Sequence, residues 1–305
     1  MKKHNIIAMA LTSLMALPVI AQDSTPAVGD ILQGINMFTP EEGDPAYKVK
    51  ANEKYGTQWG VDMAYGLWNT EKVSDVKRHN NLALLHAQLN QRLIEDKANG
   101  GTWLRVEFSG SWGLDRESAQ SDTFFTEAYA TASGLHADAM GPHEGIFPEV
   151  ALMQYFAGKR ACLIAGMVNL TNYFDAVSIA NDSFSSFTND GFVNSTILPL
   201  VDSNIGGILQ VELNRNNYMM VAVSRTGCDS GYNPFNSDYC DGYAVVGEYG
   251  HIFADGAATL RINPFYTSTD VDMDDGTGER RRQNAGLVAS IEAGLVASIE
   301  YTPCD

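Results

Sequence analysis

Residues Lys159–Leu213 read KRACLIAGMVNLTNYFDAVSIANDSFSSFTNDGFVNSTILPLVDSNIGGILQVEL. A short apolar segment gives way to a polar stretch rich in Asn, Asp, Ser and Phe, without the periodicity of a buried helix. After Pro199 the order becomes strict: Leu209, Val211 and Leu213 alternate with Gln210, Glu212 and Asn214. Successive strand residues point to opposite sides, so such a segment has one apolar and one hydrogen-bonding face. Two folds meet that demand. A soluble sheet turns its apolar face to a core, whereas a membrane barrel turns it outward to lipid and keeps the wet face inside.

The same alternation recurs along the chain. From Thr57, the residues Trp59, Val61, Met63 and Tyr65 share one face. In Thr102–Trp112, Leu104, Val106, Phe108 and Trp112 alternate with Arg105, Glu107, Ser109 and Ser111. Val150–Phe156 and Cys162–Val168 are short apolar strands, and Ile208–Asn214 pairs with Tyr218–Ser224 across a tight connection. Tyr243–Phe253 meets Ala257–Phe265 across Ala254-Asp255-Gly256, with Leu260 and Ile262 facing away from Arg261 and Asn263. Asn80–Leu93 fits a helix or a strand equally well, since its leucines suit both periods. Asn99-Gly100-Gly101 marks a turn. Short turns alternate with long polar connections such as Gly227–Asp241, the layout of an outer-membrane barrel.

The N-terminus fits export. Lys2 and Lys3 precede an apolar core, Ile6–Ile20, and Val19-Ile20-Ala21 offers a cleavage site before Gln22. The core is too short for a spanning helix, and no other segment approaches the roughly 18 apolar residues one needs. The exported chain is therefore a soluble protein or a closed barrel. Its 45% hydrophobic content suits either, because barrels hide their apolar surface by alternation. A formal charge of −17 excludes the basic footprint of a nucleic-acid binder. In a pore it would favour cations and neutral solutes.

Enzyme motifs are missing: there is no GxSxG, no HExxH and no phosphate-binding glycine loop. Asp270–Gly276 is acidic but places Asp275 and Arg281 where a calcium-binding EF-hand needs Gly and Glu. His136, Asp138, His143 and Glu144 match no metal-ligand spacing, so neither a metal nor a cofactor is expected. Of the four cysteines, Cys228 and Cys240 bracket a turn-rich stretch, where a disulfide is preferred over free thiols. Cys162 is expected to pack as a small hydrophobe.

The order of several short elements resembles the carbohydrate-selective porin (OprB) family. These are Asn169-Leu170-Thr171-Asn172-Tyr173-Phe174-Asp175, then Ala180-Asn181-Asp182, Phe192-Val193-Asn194 and Asn204-Ile205-Gly206. The resemblance covers roughly Gly56–Thr267 and implies an all-β, antiparallel transmembrane barrel of sixteen strands. It implies passive uptake of small sugars across the outer membrane of a Gram-negative-type bacterium. Expected partners are small carbohydrates, outer-membrane lipid and, in a homo-oligomer, further copies of the chain. The family-motif positions are Asn169, Asn172, Tyr173, Phe174, Asp175, Asn181 and Asn194.

The chain departs from the family at its end. Ala285–Glu292, AGLVASIE, is repeated identically as Ala293–Glu300, and no closing strand with a terminal aromatic residue follows. The expected organisation is a signal peptide over 1–21, an irregular prefix over 22–55, and a barrel domain over 56–305 that lacks closing strands. Arg105, Glu107, Gln210, Glu212, Glu248 and Arg261 are the side chains expected to line the lumen. Carboxylates and guanidiniums offer directed acceptors and donors to sugar hydroxyls, and mixed signs avoid a strong field on a neutral solute. A soluble, secreted β-sandwich that binds carbohydrate is the alternative, and a barrel selective for anions lacks the basic loop it would need.

Overall fold

The computed structural model describes residues 45–69, 79–113, 144–175, 197–200, 203–226, 242–253, 258–269, 271–272, 280–281, 284–292 and 296–301. Among the described residues, the helix α1 (Ala46–Tyr55) leads into β1 (Thr57–Asn69), β2 (His79–Ile94), β3 (Thr102–Gly113), β4 (Glu144–Phe156) and β5 (Ala161–Val168). A single 3-10 turn, Leu170–Asn172, follows. Then come β6 (Asn204–Asn214), β7 (Asn217–Thr226), β8 (Gly242–Phe253), β9 (Ala258–Thr267), the two-residue strands β10 (Val271–Asp272) and β11 (Arg280–Arg281), β12 (Asn284–Glu292) and β13 (Val296–Tyr301). The main sheet has 11 strands, each paired antiparallel with its neighbours in chain order, and β10 and β11 form a separate ribbon. The first and last strands, β1 and β13, are not paired with each other.

This is the meander expected from the sequence, and it settles the ambiguous segment. Asn80–Leu93 lies within the 16-residue strand β2, whose residues pair with β1 on one side and β3 on the other. Two ladders outweigh the weak helical preference of the leucines. The residues just before β1, expected to be irregular, instead form α1. Helix-forming Ala, Lys and Glu dominate it, and Gly56 ends it at φ 65, in the left-handed region glycine favours. The predicted signal peptide, the rest of the prefix, the Cys228–Cys240 pair, Asn181 and Asn194 lie outside the described residues.

Connections alternate in kind along the meander. The β2–β3, β4–β5, β6–β7 and β8–β9 connections are short, and all fall at one end of the sheet. The spans 114–143, 169–203 and 227–241 connect strands at the other end. In the β2–β3 turn, Asp96 accepts from Ala98 N, Asn99 N and Asn99 Nδ2 at 2.9–3.1 Å. These donors, the Asn99 amide foremost, hold its carboxyl below the usual carboxylate range. Gly101 closes the turn at φ 81, and a Cβ there would lie 2.1 Å from the Ile94 carbonyl oxygen. Only glycine fits.

Burial along the strands is the reverse of a soluble sheet's. On the covered face lie Gln58, Gln88, Asn90, Arg105, Glu107, Glu149, Gln210, Glu212, Glu248, Arg261 and Asn263. Arg105 is 1% exposed and Gln210 0%. The opposite face shows Val61, Met63, Tyr65, Leu152, Leu163, Val223 and Ile291 to the outside, with Met63 79% exposed. Leu104, Val106, Phe108, Leu209, Val211, Leu213, Leu260 and Ile262 share this outer face with them, by parity with their buried neighbours. A sandwich would do the opposite, burying this set between sheets. Apolar groups do contribute to the inner face, where Met153, Ile164, Leu170, Phe174, Ile208, Val246 and Val288 are buried together.

The duplicated octamer forms a hairpin with itself. β12 pairs with β9 and β13 pairs with β12, with Ser290 opposite Ser298 and Ala289 opposite Ile299. Both copies thus extend the sheet as strands rather than forming a separate unit.

The outer face gives a discriminating test. Leu152 is 50% exposed, so in a water-facing sheet Leu152→Arg would change stability by no more than about 0.5 kcal/mol. Facing lipid, it should cost roughly 2–4 kcal/mol near the midplane. Denaturant unfolding of the protein folded into vesicles measures the difference.

Candidate functional site

The site is the inner face of the sheet together with the short turn that folds onto it. After β5, the chain does not continue away from the sheet. Val168, Asn169, Leu170, Tyr173, Phe174 and Asp175 are all buried. Asn169 starts the turn, its Oδ1 accepting from Thr171 N at 3.2 Å and Thr171 Oγ1 at 2.6 Å. Such local capping by Asn satisfies backbone donors that a single turn leaves open. Leu170 and Phe174 anchor the turn in the inner apolar cluster. Their burial stabilises it by roughly 1.5–3 kcal/mol each, as an upper estimate.

The polar residues of the turn are then gripped from two sides. On one side Asn172 Nδ2 donates to Glu107 Oε2 at 2.6 Å and to Glu149 Oε2 at 3.1 Å. The Tyr173 hydroxyl donates to Glu149 Oε1. Arg105 Nε lies 3.3 Å from Glu149 Oε2, and its guanidinium sits 5.8 Å over the Tyr173 ring. With its amide oxygen turned to the guanidinium, Gln88 accepts from Arg105. His86 Nε2 and Glu107 Oε1 are 2.7 Å apart. On the other side the Asp175 N–H donates to Glu248 Oε2 at 3.0 Å. The same carboxylate accepts from Tyr218 Oη at 2.7 Å and from Asn263 Nδ2 at 2.7 Å. Asp175 sits at φ 53, a conformation that Asp tolerates better than most residues.

Electrostatically the lining near the turn has both signs with an acidic excess, Arg105 standing against Glu107, Glu149, Asp175 and Glu248. Arg105 lies among Glu107 and Glu149, and Arg261 Nη1 lies 3.0 Å from Glu292 Oε2. Further along the inner face, Gln210 Oε1, Glu212 Oε2 and Asn263 Oδ1 have no hydrogen-bond partner among the described residues. Buried acceptors left this way call for water or a solute hydroxyl. The Tyr218 ring lies flat along the wall over Gly250, where a Cβ would meet ring atoms at 2.0–2.5 Å. Gly250 therefore makes room for an aromatic side chain that carries Glu248.

All six residues proposed from sequence, Arg105, Glu107, Gln210, Glu212, Glu248 and Arg261, are buried on the inner face. Arg105, Glu107 and Glu248 meet at the turn and Arg261 interacts with Tyr218 beside Glu248, whereas Gln210 and Glu212 lie outside that network. Of the motif residues, Asn172, Tyr173 and Asp175 make the bridging contacts, while Asn169 and Phe174 shape and anchor the turn. Glu149 was missed. Its strand, expected to begin at Val150, begins six residues earlier at Glu144, and extending the alternation back by one residue places Glu149 inward with Ala151 and Met153. Tyr218 and Asn263 were missed as well, although both fall on the polar phase of their strands.

An antiparallel sheet with an apolar exterior, a charged interior and an inserted turn is the wall of a porin-like barrel. No protein-family model matches the chain, and no curated protein matches it in sequence. Among solved structures, that of Pseudomonas putida OprB at high pH superposes with a TM-score of 0.57 at 13% identity. The match covers 81% of this chain and 64% of that one. The likeness read from the Asn169–Asp175 motif thus holds at the level of the porin fold.

Two substitutions probe the clamp. Glu149→Ala removes the ion-pair partner of the buried Arg105 guanidinium, leaving it Gln88 and the field of Glu107, and should cost about 3–5 kcal/mol. Tyr173→Phe removes a single hydrogen bond to a carboxylate and should cost about 1.5–3 kcal/mol. Both are read from denaturant midpoints, with cleavage of the Leu170–Asp175 segment by added protease rising in the same order.

Proposed function

We propose that this chain is an outer-membrane porin that lets small, neutral sugars diffuse passively to the periplasm. One observation carries the reading: charged and amide side chains occupy the covered face, and large apolar side chains the exposed one. Such inverted burial suits a sheet with lipid outside and a wet lumen within. The porin fold of the P. putida OprB structure supports the reading. It gives a channel rather than an enzyme, located in the outer membrane after export, with no cofactor and no covalent step.

Selectivity for sugars follows from the chemistry of the lining. A polyol presents many hydroxyls, each both donor and acceptor, and no charge. Carboxylates and amides such as Glu212, Gln210 and Asn263 can exchange hydrogen bonds with successive hydroxyls. The pairing of Arg105 with Glu149 and of Arg261 with Glu292 weakens the local field, and Glu107, Glu212 and Glu248 leave the lining acidic, which favours neutral solutes and cations over anions. The turn held by Glu149 and Glu248 narrows the space that a solute must pass. A sealed lumen also requires the β1 and β13 edges to be paired, because unpaired backbone groups are costly in hydrocarbon.

Liposome swelling tests this reading. Vesicles carrying the protein should swell faster in glucose or a disaccharide than empty ones, with little dependence on salt. Glu212→Lys should shift ion preference towards anions while leaving sugar passage within a few-fold. A protein that conducts ions yet passes no sugar faster than a sulfate-sized anion would contradict the carbohydrate reading.

A further inference from the structure

The end of the sheet with the short turns carries a charge opposite to that of the chain. α1 with the connections 95–101, 157–160, 215–216 and 254–257 holds seven Lys or Arg against four Asp or Glu, in a protein of formal charge −17. The connections 70–78, 114–143, 169–203, 227–241 and 268–283, which join strands at the other end, hold nineteen Asp or Glu against seven Lys or Arg. Lys50, Lys54, Lys97, Lys159 and Arg215 are exposed on the basic rim.

α1 has an unusual place in that rim. None of its residues is buried, so it is not held by a hydrophobic face of its own. Its attachment combines hydrogen bonds, from Gln58 Nε2 to Asn52 Oδ1 and from Gln91 Nε2 to the Tyr55 carbonyl, with aromatic and cationic contacts. The Tyr47 ring stacks on Trp59 at 6.2 Å, and Lys48 Nζ lies 4.9 Å from the centre of the same ring. Lys54 Nζ lies 4.8 Å over Tyr55. Trp59 belongs to the outer phase of β1, in line with exposed Val61, Met63 and Tyr65. The helix is thus pinned where the apolar outer face ends. Trp and Tyr settle at that level of a bilayer, between acyl chains and headgroups, and lysines reach from it to phosphate.

We propose that α1 and the short-turn rim bind the phosphate headgroups of anionic phospholipids in the leaflet they meet. The proposal rests on the membrane-spanning reading above. Charge complementarity selects the anionic headgroup, and continuity with the apolar outer face selects a lipid over an acidic protein. Lys48, Lys50 and Lys54 are the principal contacts, and the Tyr47–Trp59 pair fixes their height.

The test uses the full-length protein in vesicles of equal phosphatidylcholine and phosphatidylglycerol with matched acyl chains. After a carbonate wash, the protein is released in mild detergent and its retained lipids are weighed by native mass spectrometry. Phosphatidylglycerol should be enriched about five-fold or more. K48Q/K50Q/K54Q should bring the ratio close to parity, while K48R/K50R/K54R and the control R280Q/R281Q should keep it. Parity in the unmodified protein, enrichment that survives in the glutamine variant, or an equal loss in R280Q/R281Q overturns the proposal and leaves the porin reading standing. Protein removed by the carbonate wash overturns both.

Discussion

A single carboxylate, that of Glu149, holds three partners on the inner face at once. Arg105 lies beside it, and Asn172 and Tyr173 donate to it from a different segment of chain. A buried carboxylate survives only if its lone pairs are used, and a buried guanidinium only if an anion is near. Neither β3 nor β4 could keep its charge in this place without the turn, nor could the turn enter without them. The seating of the inserted segment on β3 and β4 depends on this mutual satisfaction. Glu248 repeats the device on β8, accepting a backbone N–H from Asp175.

The inverted face pattern has a thermodynamic counterpart. In a water-soluble protein the hydrophobic effect drives apolar side chains inward. Here the outer apolar face gains nothing from folding in water, and the interior relies on hydrogen bonds and ion pairs. The sheet can still be satisfied because every internal strand has ladders on both sides. The inner cluster around Ile164, Ile208 and Val246 supplies some packing, centred where the turn is seated. Apolar and polar contacts thus converge on the same few residues.

Much of this was legible in the sequence, for a simple reason. Period-two alternation fixes which residues share a face, and the sheet keeps that phase, so Arg105, Glu107, Gln210 and Glu212 all lie on the covered face. Strand limits were less legible. The apolar run starts this strand at Val150 and so leaves out Glu149, and over β2 leucines at both spacings fit helix and strand alike. α1 went unseen because a helix with no apolar face leaves no periodic trace. The clamp itself could not be read at all. Its contacts join residues 65, 23 and 73 positions apart, one of them through a backbone N–H that no side-chain pattern marks.

The tandem octamer shows how such a wall can lengthen. Eight is an even number, and side chains on a strand repeat every two residues. A second copy inserted in tandem therefore keeps the phase of the first, as the pairing of Ser290 with Ser298 records. A seven- or nine-residue duplication would have reversed the phase and set polar positions against lipid. Even-length duplication gives a hairpin at once, since each copy is already complementary to a neighbour of its own kind. Growth of a meander in this way needs no new sequence, only parity.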